Sequence, residues 1–142
     1  MKPLSAFVRA AGPALFVALW GCTTTTKITV HSSPLTNDGN PMYMAVRAWD
    51  GKPASGERYQ EMAAKLFNEP PDPQILVTQP ILPGTDKVSV TVDESVAKEV
   101  MIYFFFTDPG PGWQVPLRRP MPADVEIDLG RHQVENVRMR PH

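Results

Sequence analysis

The sequence VMIYFFFT, from Val100 to Thr107, decides the fold. It is the most apolar stretch of the chain after the N-terminal segment, and it is rich in aromatic and β-branched side chains, which strands favour. The sequence DPGPG follows at Asp108 to Gly112, where proline and glycine force the chain to reverse. We therefore predict a central core strand that ends in a tight turn.

The residues after this turn predict three more strands. Trp113 to Leu117 can pair back onto the core strand. Val125, Ile127 and Leu129 alternate with acidic residues, which is the period of a strand with one buried face. Val134 to Met139 is the last candidate and would close the sheet.

The residues before the core strand predict four further strands. They are Lys27 to His31, Met42 to Asp50, Gln74 to Gln79 and Val88 to Val92. The second of these carries apolar residues on both of its faces, so we expect it to be central or partly covered on both sides.

One segment between these strands has the period of a helix. Its apolar side chains fall on one side at Tyr59, Met62, Ala63, Leu66 and Phe67. The prolines that follow end the helix, because proline cannot continue it. We expect the apolar stripe to pack against a sheet. Short strands with turns at this spacing predict an all-β fold, a two-sheet antiparallel β-sandwich with one inserted amphipathic helix.

The loop between the first two strands consists of turn-forming residues. Ser32 to Pro41 reads SSPLTNDGNP and offers almost nothing to a core. We expect it to project from the domain. From its residues alone it is either a solvated connection or a surface that binds a partner, with Leu35 as an exposed apolar anchor.

The N-terminus has the layout of an export signal. Lys2 and Arg9 precede an uncharged apolar run from Ala10 to Trp20, about half the length that a membrane-spanning helix needs. Leu19-Trp20-Gly21-Cys22 follows and resembles a bacterial lipobox, although Trp20 stands where a small residue is usual. The resemblance implies cleavage after Gly21 and acylation of Cys22. The alternative is an ordinary secretory peptide with a chance cysteine.

Cysteine usage favours the lipoprotein interpretation. Cys22 is the only cysteine of the chain, so it cannot form an internal disulfide. Several acyl chains on one cysteine would give stable anchoring. Thr23, the next residue, is not the aspartate of an inner-membrane retention signal, so the periplasmic face of the outer membrane is the predicted location. The predicted organisation is a signal peptide at 1–21, a lipidated cysteine and tether at 22–26, and a β-sandwich domain at 27–142.

The charge of the remaining chain excludes some partners. Removal of Lys2 and Arg9 with the signal leaves 12 basic and 15 acidic residues, a net charge of −3. A chain with neither a basic stripe nor an acidic tail is a poor candidate for binding nucleic acid or an anionic lipid surface as its primary partner. We therefore predict no nucleic-acid partner.

The order of these features resembles a known family. In order, the chain has a lipobox, a short strand, a loop with proline and asparagine, the strand PMYMAVRAW, an inserted helix, a Pro-Gly turn before VSVTV, and a hydrophobic strand running into FTDPGPGW. This order is similar to that of the type VI secretion outer-membrane lipoproteins, the TssJ (VasD or SciN) family. The similarity extends over nearly the whole chain after Cys22. It implies a transthyretin-like β-sandwich with an added helix.

The same resemblance implies an architectural function. Members of that family capture the periplasmic C-terminal domain of the inner-membrane protein TssM and help to assemble the membrane complex. The family contact loop corresponds here to Ser33 to Pro41. Its candidate contact residues are Pro34, Leu35, Thr36, Asn37, Asp38, Gly39 and Asn40. We expect a monomer in isolation, because the sequence has no coiled coil, and several copies in the assembled complex.

The sequence predicts no enzyme, metal or cofactor. None of His31, His132 and His142 has a second ligand at a metal-binding spacing, and no G-x-S-x-G motif is present. Transthyretin-like hydrolases of hydroxyisourate end in a tyrosine-containing tetrapeptide, which this chain lacks. The remaining alternatives are a pilotin-like or accessory lipoprotein of another envelope complex and a small-ligand binder that uses a pocket near Trp49 and Trp113.

Overall fold

The structure is a computed structural model that describes residues 12–13, 23–53, 56–85 and 87–142. The described residues form eight strands and one α-helix. In chain order these are β1 (Thr25–His31), β2 (Met42–Ala48), α1 (Tyr59–Leu66), β3 (Ile75–Ile81), β4 (Val88–Asp93), β5 (Val100–Phe105), β6 (Gln114–Leu117), β7 (Asp124–Leu129) and β8 (Val134–Arg140). The predicted two-sheet sandwich with one inserted helix is confirmed.

The strands divide into two sheets of four. One sheet has the order β4-β1-β7-β8 and the other has the order β3-β2-β5-β6. The apolar run that we predicted as the core strand is β5, and it lies between β2 and β6. Its residues from Val100 to Phe104 are all buried, which agrees with a strand covered on both faces.

The core lies between the two sheets and follows the predicted alternation. The side chains that fill it from the central strands are at most 1% exposed: Ile28, Val30, Met44, Val46, Ile102, Phe104, Val125 and Ile127. Burial of each large side chain of this kind stabilises the fold by about 1.5–3 kcal/mol. The outer face of β7 carries acidic residues that meet arginine from β8, so that face is polar.

One strand pair differs from the predicted antiparallel arrangement. β1 and β7 run parallel, in register from Lys27 opposite Asp124 to His31 opposite Asp128. A parallel pair needs a long crossover connection, and most of the chain lies between these two strands. All other neighbouring strands are antiparallel.

The helix covers the outer face of the second sheet, but its apolar stripe is only partly buried. Met62 is buried, and the Tyr59 ring contacts Phe105 and Trp113 edge-on. Phe67, which we predicted to pack with this stripe, is 69% exposed. That prediction was wrong because α1 ends at Leu66, so Phe67 leaves the helix and only its edge meets Tyr43.

The first strand begins earlier than predicted. Thr25 and Thr26 pair with Asp93 and Val92 of β4, and the Thr26 hydroxyl donates to the Pro122 carbonyl oxygen at 2.7 Å. The predicted tether of residues 22–26 therefore loses its last two residues to the sheet. The predicted signal peptide and Cys22 lie outside the described residues, apart from Gly12 and Pro13.

Candidate functional site

The two ends of the sandwich have different compositions. At one end, which we call the loop end, lie the loops β1–β2, β3–β4, β5–β6 and β7–β8. At the other, which we call the terminal end, lie Thr23–Thr24, the loops β4–β5 and β6–β7, and Pro141–His142. The predicted contact loop, Ser33 to Pro41, belongs to the loop end.

The backbone of the contact loop makes a tight left-handed reversal. Asn37, Asp38 and Gly39 have φ angles of 51°, 52° and 80°. Asparagine, aspartate and glycine are the residues that tolerate this conformation best, since other side chains clash with the backbone there. The sequence NDG thus determines the shape of the loop tip.

Thr36 holds the loop to the body of the domain. Its side chain is fully buried, its hydroxyl oxygen accepts a hydrogen bond from the Ser33 amide at 2.9 Å, and it donates to the Leu129 carbonyl oxygen at 3.2 Å. These bonds join the start of the loop to the end of β7. Thr36 was predicted as a contact residue, but in this conformation its side chain faces the domain interior.

Asn37 is the second internal anchor. It is 2% exposed, and its Nδ2 donates to the carbonyl oxygens of Asn40 and Pro41 and to the Thr107 hydroxyl. Its Oδ1 accepts from the Thr107 amide at 2.8 Å. The side chain therefore uses all of its polar atoms within the domain and fixes the loop against the segment after β5.

The other predicted contact residues are on the surface. Pro34, Leu35, Asp38, Gly39 and Asn40 are exposed, and the Leu35 side chain is 60% exposed. A large apolar side chain held outward by a rigid loop is the kind of group that anchors protein interfaces. The predicted set thus separates into two buried supports and five exposed residues.

Sequence reasoning missed a second exposed leucine at the same end. Leu82, in the β3–β4 loop, is 57% exposed. The Ser32 hydroxyl donates to the carbonyl oxygens of Leu82 and Thr85 at 3.5 and 3.1 Å, which ties the two loops together. The signal available in the sequence was an apolar residue directly before the Pro83-Gly84 turn, where no core position was expected.

Charged groups on the loop end pair with one another. Asp38 lies 3.3 Å from the Arg131 guanidinium and 3.7 Å from Nε2 of His132. His132 Nδ1 lies 3.0 Å from the Asp108 carbonyl oxygen. These contacts connect three loops, although their exposure keeps each ion pair weak. We call Asp38, Arg131 and His132 the rim of the loop end.

The terminal end receives the chain from the N-terminal segment. The Thr24 carbonyl oxygen accepts a hydrogen bond from the Glu94 amide at 3.0 Å, in the β4–β5 loop. From there β1 runs the length of the sandwich, and its seven residues span roughly 20 Å before the contact loop begins. The contact loop and the entry of the N-terminal segment are therefore at opposite ends.

The predicted alternative of a ligand pocket near the tryptophans finds no match among the described clefts. Trp49 and Trp113 are each 9% exposed. Trp113 packs among Tyr59, Tyr103 and Phe105, and the Trp49 ring nitrogen donates to the Lys52 carbonyl oxygen. A cleft of about 480 Å³ lies beside α1 and is lined by Arg47, Asp50, Lys52, Pro53, Gly56, Glu57, Met62 and Lys65.

Polar groups beside that cleft are engaged with each other. Glu57 accepts from the Tyr103 hydroxyl at 2.6 Å and from the Gln114 amide nitrogen at 2.9 Å. Burial, and then the neighbouring Glu57 carboxylate, raise the pKa of Tyr103 well above its usual value. A tyrosine held protonated in this way is a structural hydrogen-bond donor.

Within the described ranges no group of three or more histidine, cysteine, aspartate or glutamate residues could hold a metal ion.

The described helix is not a membrane span. No helix in the part of the chain that the structure describes is long and apolar enough to cross a membrane.

Comparison with known families and structures places the fold. The model of the family described as "IglE, N-terminal domain" matches residues 43–129. No curated protein matches the sequence.

Solved structures of type VI secretion proteins share the fold. The lipoprotein TssJ1 from Pseudomonas aeruginosa superposes with a TM-score of 0.62 and 15% identity, over 84% of this chain and 98% of that chain. Lip from Serratia marcescens, a membrane-bound component of the type VI secretion system, superposes with a TM-score of 0.61 and 12% identity, over 81% and 98%. A chain from a structure of the TssM C-terminal domain from EAEC superposes with a TM-score of 0.60 and 15% identity, over 78% of this chain and 95% of that chain. The predicted resemblance to the TssJ lipoproteins is confirmed, and at these identities it shows the fold.

Proposed function

The chain belongs to the IglE N-terminal domain family. Because type VI secretion lipoproteins share its fold, we propose that it is a lipoprotein of the type VI secretion membrane complex. In this proposal acyl chains on Cys22 hold the domain at the periplasmic face of the outer membrane. The loop end recruits the periplasmic C-terminal domain of TssM. The domain is a monomer in isolation and is present in several copies in the assembled complex.

One observation carries the proposal: the contact loop and the entry of the N-terminal segment lie at opposite ends of the sandwich. Thr24 is bonded at the terminal end, whereas Leu35 is exposed at the loop end, roughly 20 Å further along β1. A domain anchored through Cys22 would therefore direct its loop end away from the outer membrane. That is the direction from which an inner-membrane protein must approach.

The construction of the loop end also suits a recruiting surface. Thr36 and Asn37 fix the loop by buried hydrogen bonds, so little conformational entropy remains to be lost on binding. Leu35 and Leu82 supply exposed apolar side chains, and the rim of Asp38, Arg131 and His132 supplies polar groups. An apolar centre with a polar rim is the usual composition of a specific protein interface.

The direct test is binding of residues 23–142 to the periplasmic C-terminal domain of TssM from the same organism. This segment contains every strand and the whole core, so it retains the described fold. We expect Leu35→Asp to weaken binding tenfold or more, which corresponds to about 1.4 kcal/mol, and Leu82→Asp to weaken it less.

The matched control is Val96→Asp. Val96 is 64% exposed, similar to Leu35, but lies at the terminal end. It should leave the affinity for TssM unchanged. If the folded domain does not bind TssM, or if Leu35→Asp and Val96→Asp weaken binding equally, the recruiting role is wrong and an accessory role in another envelope complex becomes the better hypothesis.

A further inference from the structure

We propose that the terminal end is a second contact surface, which lies against the membrane and binds anionic phospholipid headgroups. The surface, which we call the terminal patch, is formed by Lys98, Arg118, Arg119, Val96 and Met139. It rests on the proposed anchoring at Cys22. It adds to that anchoring an orientation of the domain that the acyl chains alone would not impose.

In the described part of the chain, the cations of the terminal patch have no acidic partner. Among the described residues, none of Lys98, Arg118 and Arg119 has a carboxylate oxygen within 4.0 Å, whereas Arg47, Arg131 and Arg138 at other sites are paired. All three are exposed. Arg118 is held in place because its guanidinium lies 4.9 Å from the centroid of the Trp49 ring. A fixed, unpaired guanidinium is suited to bind phosphate oxygens.

Three of the acidic side chains at this end are already engaged. The Glu94 carboxylate lies 3.1 Å from Nε2 of His142, and Asp93 Oδ1 accepts from the Ser95 amide at 2.8 Å. Glu99 Oε1 accepts from the Arg119 backbone amide at 3.3 Å. These contacts reduce the repulsion that the carboxylates would exert on an approaching phosphate.

Apolar surface accompanies the cations. Val96 is 64% exposed and Met139 is 50% exposed, the largest apolar exposures described at this end. A depression of about 420 Å³ beside Met139 is lined by Pro116, Arg118, Arg119, Pro120, Pro122, Met139 and Pro141, whereas Val96 lies by a separate depression with Leu76 and Val77. A second depression, of about 290 Å³, is lined by Glu94, Lys98, Arg119, Pro120 and Met121, and the Glu94 carboxylate in it faces His142. Basic side chains beside exposed apolar ones are typical of a surface that lies in a membrane interface.

The position of the patch brings it to the membrane. The Thr24 carbonyl is bonded to Glu94, two residues before Val96. Since β1 begins at Thr25, the chain from Cys22 to the sheet spans at most about 10 Å when fully extended. A lipid on Cys22 would therefore hold the terminal patch within reach of the headgroups. This continuity with the anchor is why we infer a lipid surface and not a second protein.

The experiment uses the lipidated full-length protein, reconstituted in vesicles of phosphatidylcholine with or without phosphatidylglycerol. The Val96→Cys variant is labelled at the new cysteine with an environment-sensitive fluorophore, and the vesicles contain a quencher attached to lipid headgroups. Because acylation blocks the only natural cysteine, the label reacts at position 96 alone. We expect strong quenching in the anionic vesicles and weaker quenching in the neutral ones. A label at Leu35→Cys should remain unquenched in both.

Charge variants then test the mechanism. Arg119→Glu or Lys98→Glu in the Val96→Cys background should lower the equilibrium constant for docking on anionic vesicles about fivefold or more, since each basic residue near an anionic surface contributes about that factor. Lys87→Glu, an exposed lysine at the loop end, is the matched control and should have no effect. High salt should reduce docking in the unmodified protein.

Three results would overturn the proposal. One is an unquenched Val96 label on a protein whose mass shows acylated Cys22. Another is quenching that is equal in both vesicle types and insensitive to Arg119→Glu, because the tether alone would then set the distance. The third is binding to purified peptidoglycan in place of vesicles. If the mass shows no lipid on Cys22, the anchoring itself is wrong, and that failure is recognised separately.

Discussion

The loop end and the terminal end differ in how their polar and charged groups are paired. At the loop end, buried Asn37 and Thr36 satisfy their hydrogen bonds inside the domain, and the exposed charges of Asp38 and Arg131 pair with each other. At the terminal end, Arg118 and Arg119 are exposed and have no carboxylate partner among the residues that the structure describes. This difference is what the two proposals require, namely a fixed shape that binds a protein at one end and unpaired cations that meet a charged surface at the other.

Among the predicted variants, loss of the lipid anchor should have the largest effect, which is on membrane association. We expect Cys22→Ser to remove the protein from the outer-membrane fraction, because no acyl chain can then be attached. The domain itself should remain folded, since its core begins at Ile28. Fractionation followed by a thermal melt of the released protein measures both quantities. A Cys22→Ser protein that still fractionates with the outer membrane would refute the lipoprotein assignment, and Thr23→Ser serves as the control.

Removal of the buried anchor of the loop end should have the next largest effect. We expect Asn37→Ala to lower the free energy of unfolding by about 3 kcal/mol, because it removes the hydrogen bonds of a buried side chain, among them the one from the Thr107 amide, and puts alanine at a positive φ. Affinity for TssM should fall as well. Asn40→Ala, which loses one bond from an exposed side chain, should cost under about 1 kcal/mol in a urea titration. Equal effects of the two changes would show that Asn37 does not shape the loop.

A smaller, pH-dependent effect is expected from an ion pair beside the second sheet. The Gln74 amide, and then Arg47 at 3.2 Å, hold the pKa of Asp72 below its usual value. The carboxylate therefore contributes stability that is present above the pKa of an unfolded aspartate, about 3.9, and is lost as the pH falls through the lower folded pKa.

The test compares unfolding at neutral and acid pH. We expect Asp72→Asn to cost about 1–2 kcal/mol at pH 7. The difference from the unmodified protein should shrink as the pH falls below about 4. Asp38→Asn, in an exposed pair with Arg131, should change the unfolding free energy by less than about 1 kcal/mol. A cost of Asp72→Asn that does not vary with pH would exclude the ion pair as its cause.

The fold was largely predictable because apolar periodicity reports burial directly. The run from Val100 to Phe105 and the alternation at Val125, Ile127 and Leu129 are where they were predicted. The parallel pairing of β1 with β7 was not predictable, because alternation shows which face is buried and not which strand is the neighbour. Thr25 and Thr26 were assigned to a tether because polar side chains hide their pairing with β4.

The sequence predicted where the candidate site lies, but it did not predict which of its side chains are buried and which are exposed. A sequence of turn formers locates the loop, but Thr36 and Asn37 look like solvent-facing residues until their partners, Leu129 and Thr107, are known. These partners are about 70 or more positions away along the chain, a distance over which local patterns carry no information. Leu82 was missed for the same reason, since its proximity to the contact loop depends on Ser32 across the sandwich.

The most direct test of the two-ended account is photocrosslinking in cells that contain TssM. A photoreactive amino acid is placed at Leu35 or at Val96 of the full-length protein, two exposed positions at opposite ends. The account predicts a covalent adduct with TssM from position 35 and none from position 96. An adduct with TssM from position 96, with none from position 35, would contradict it.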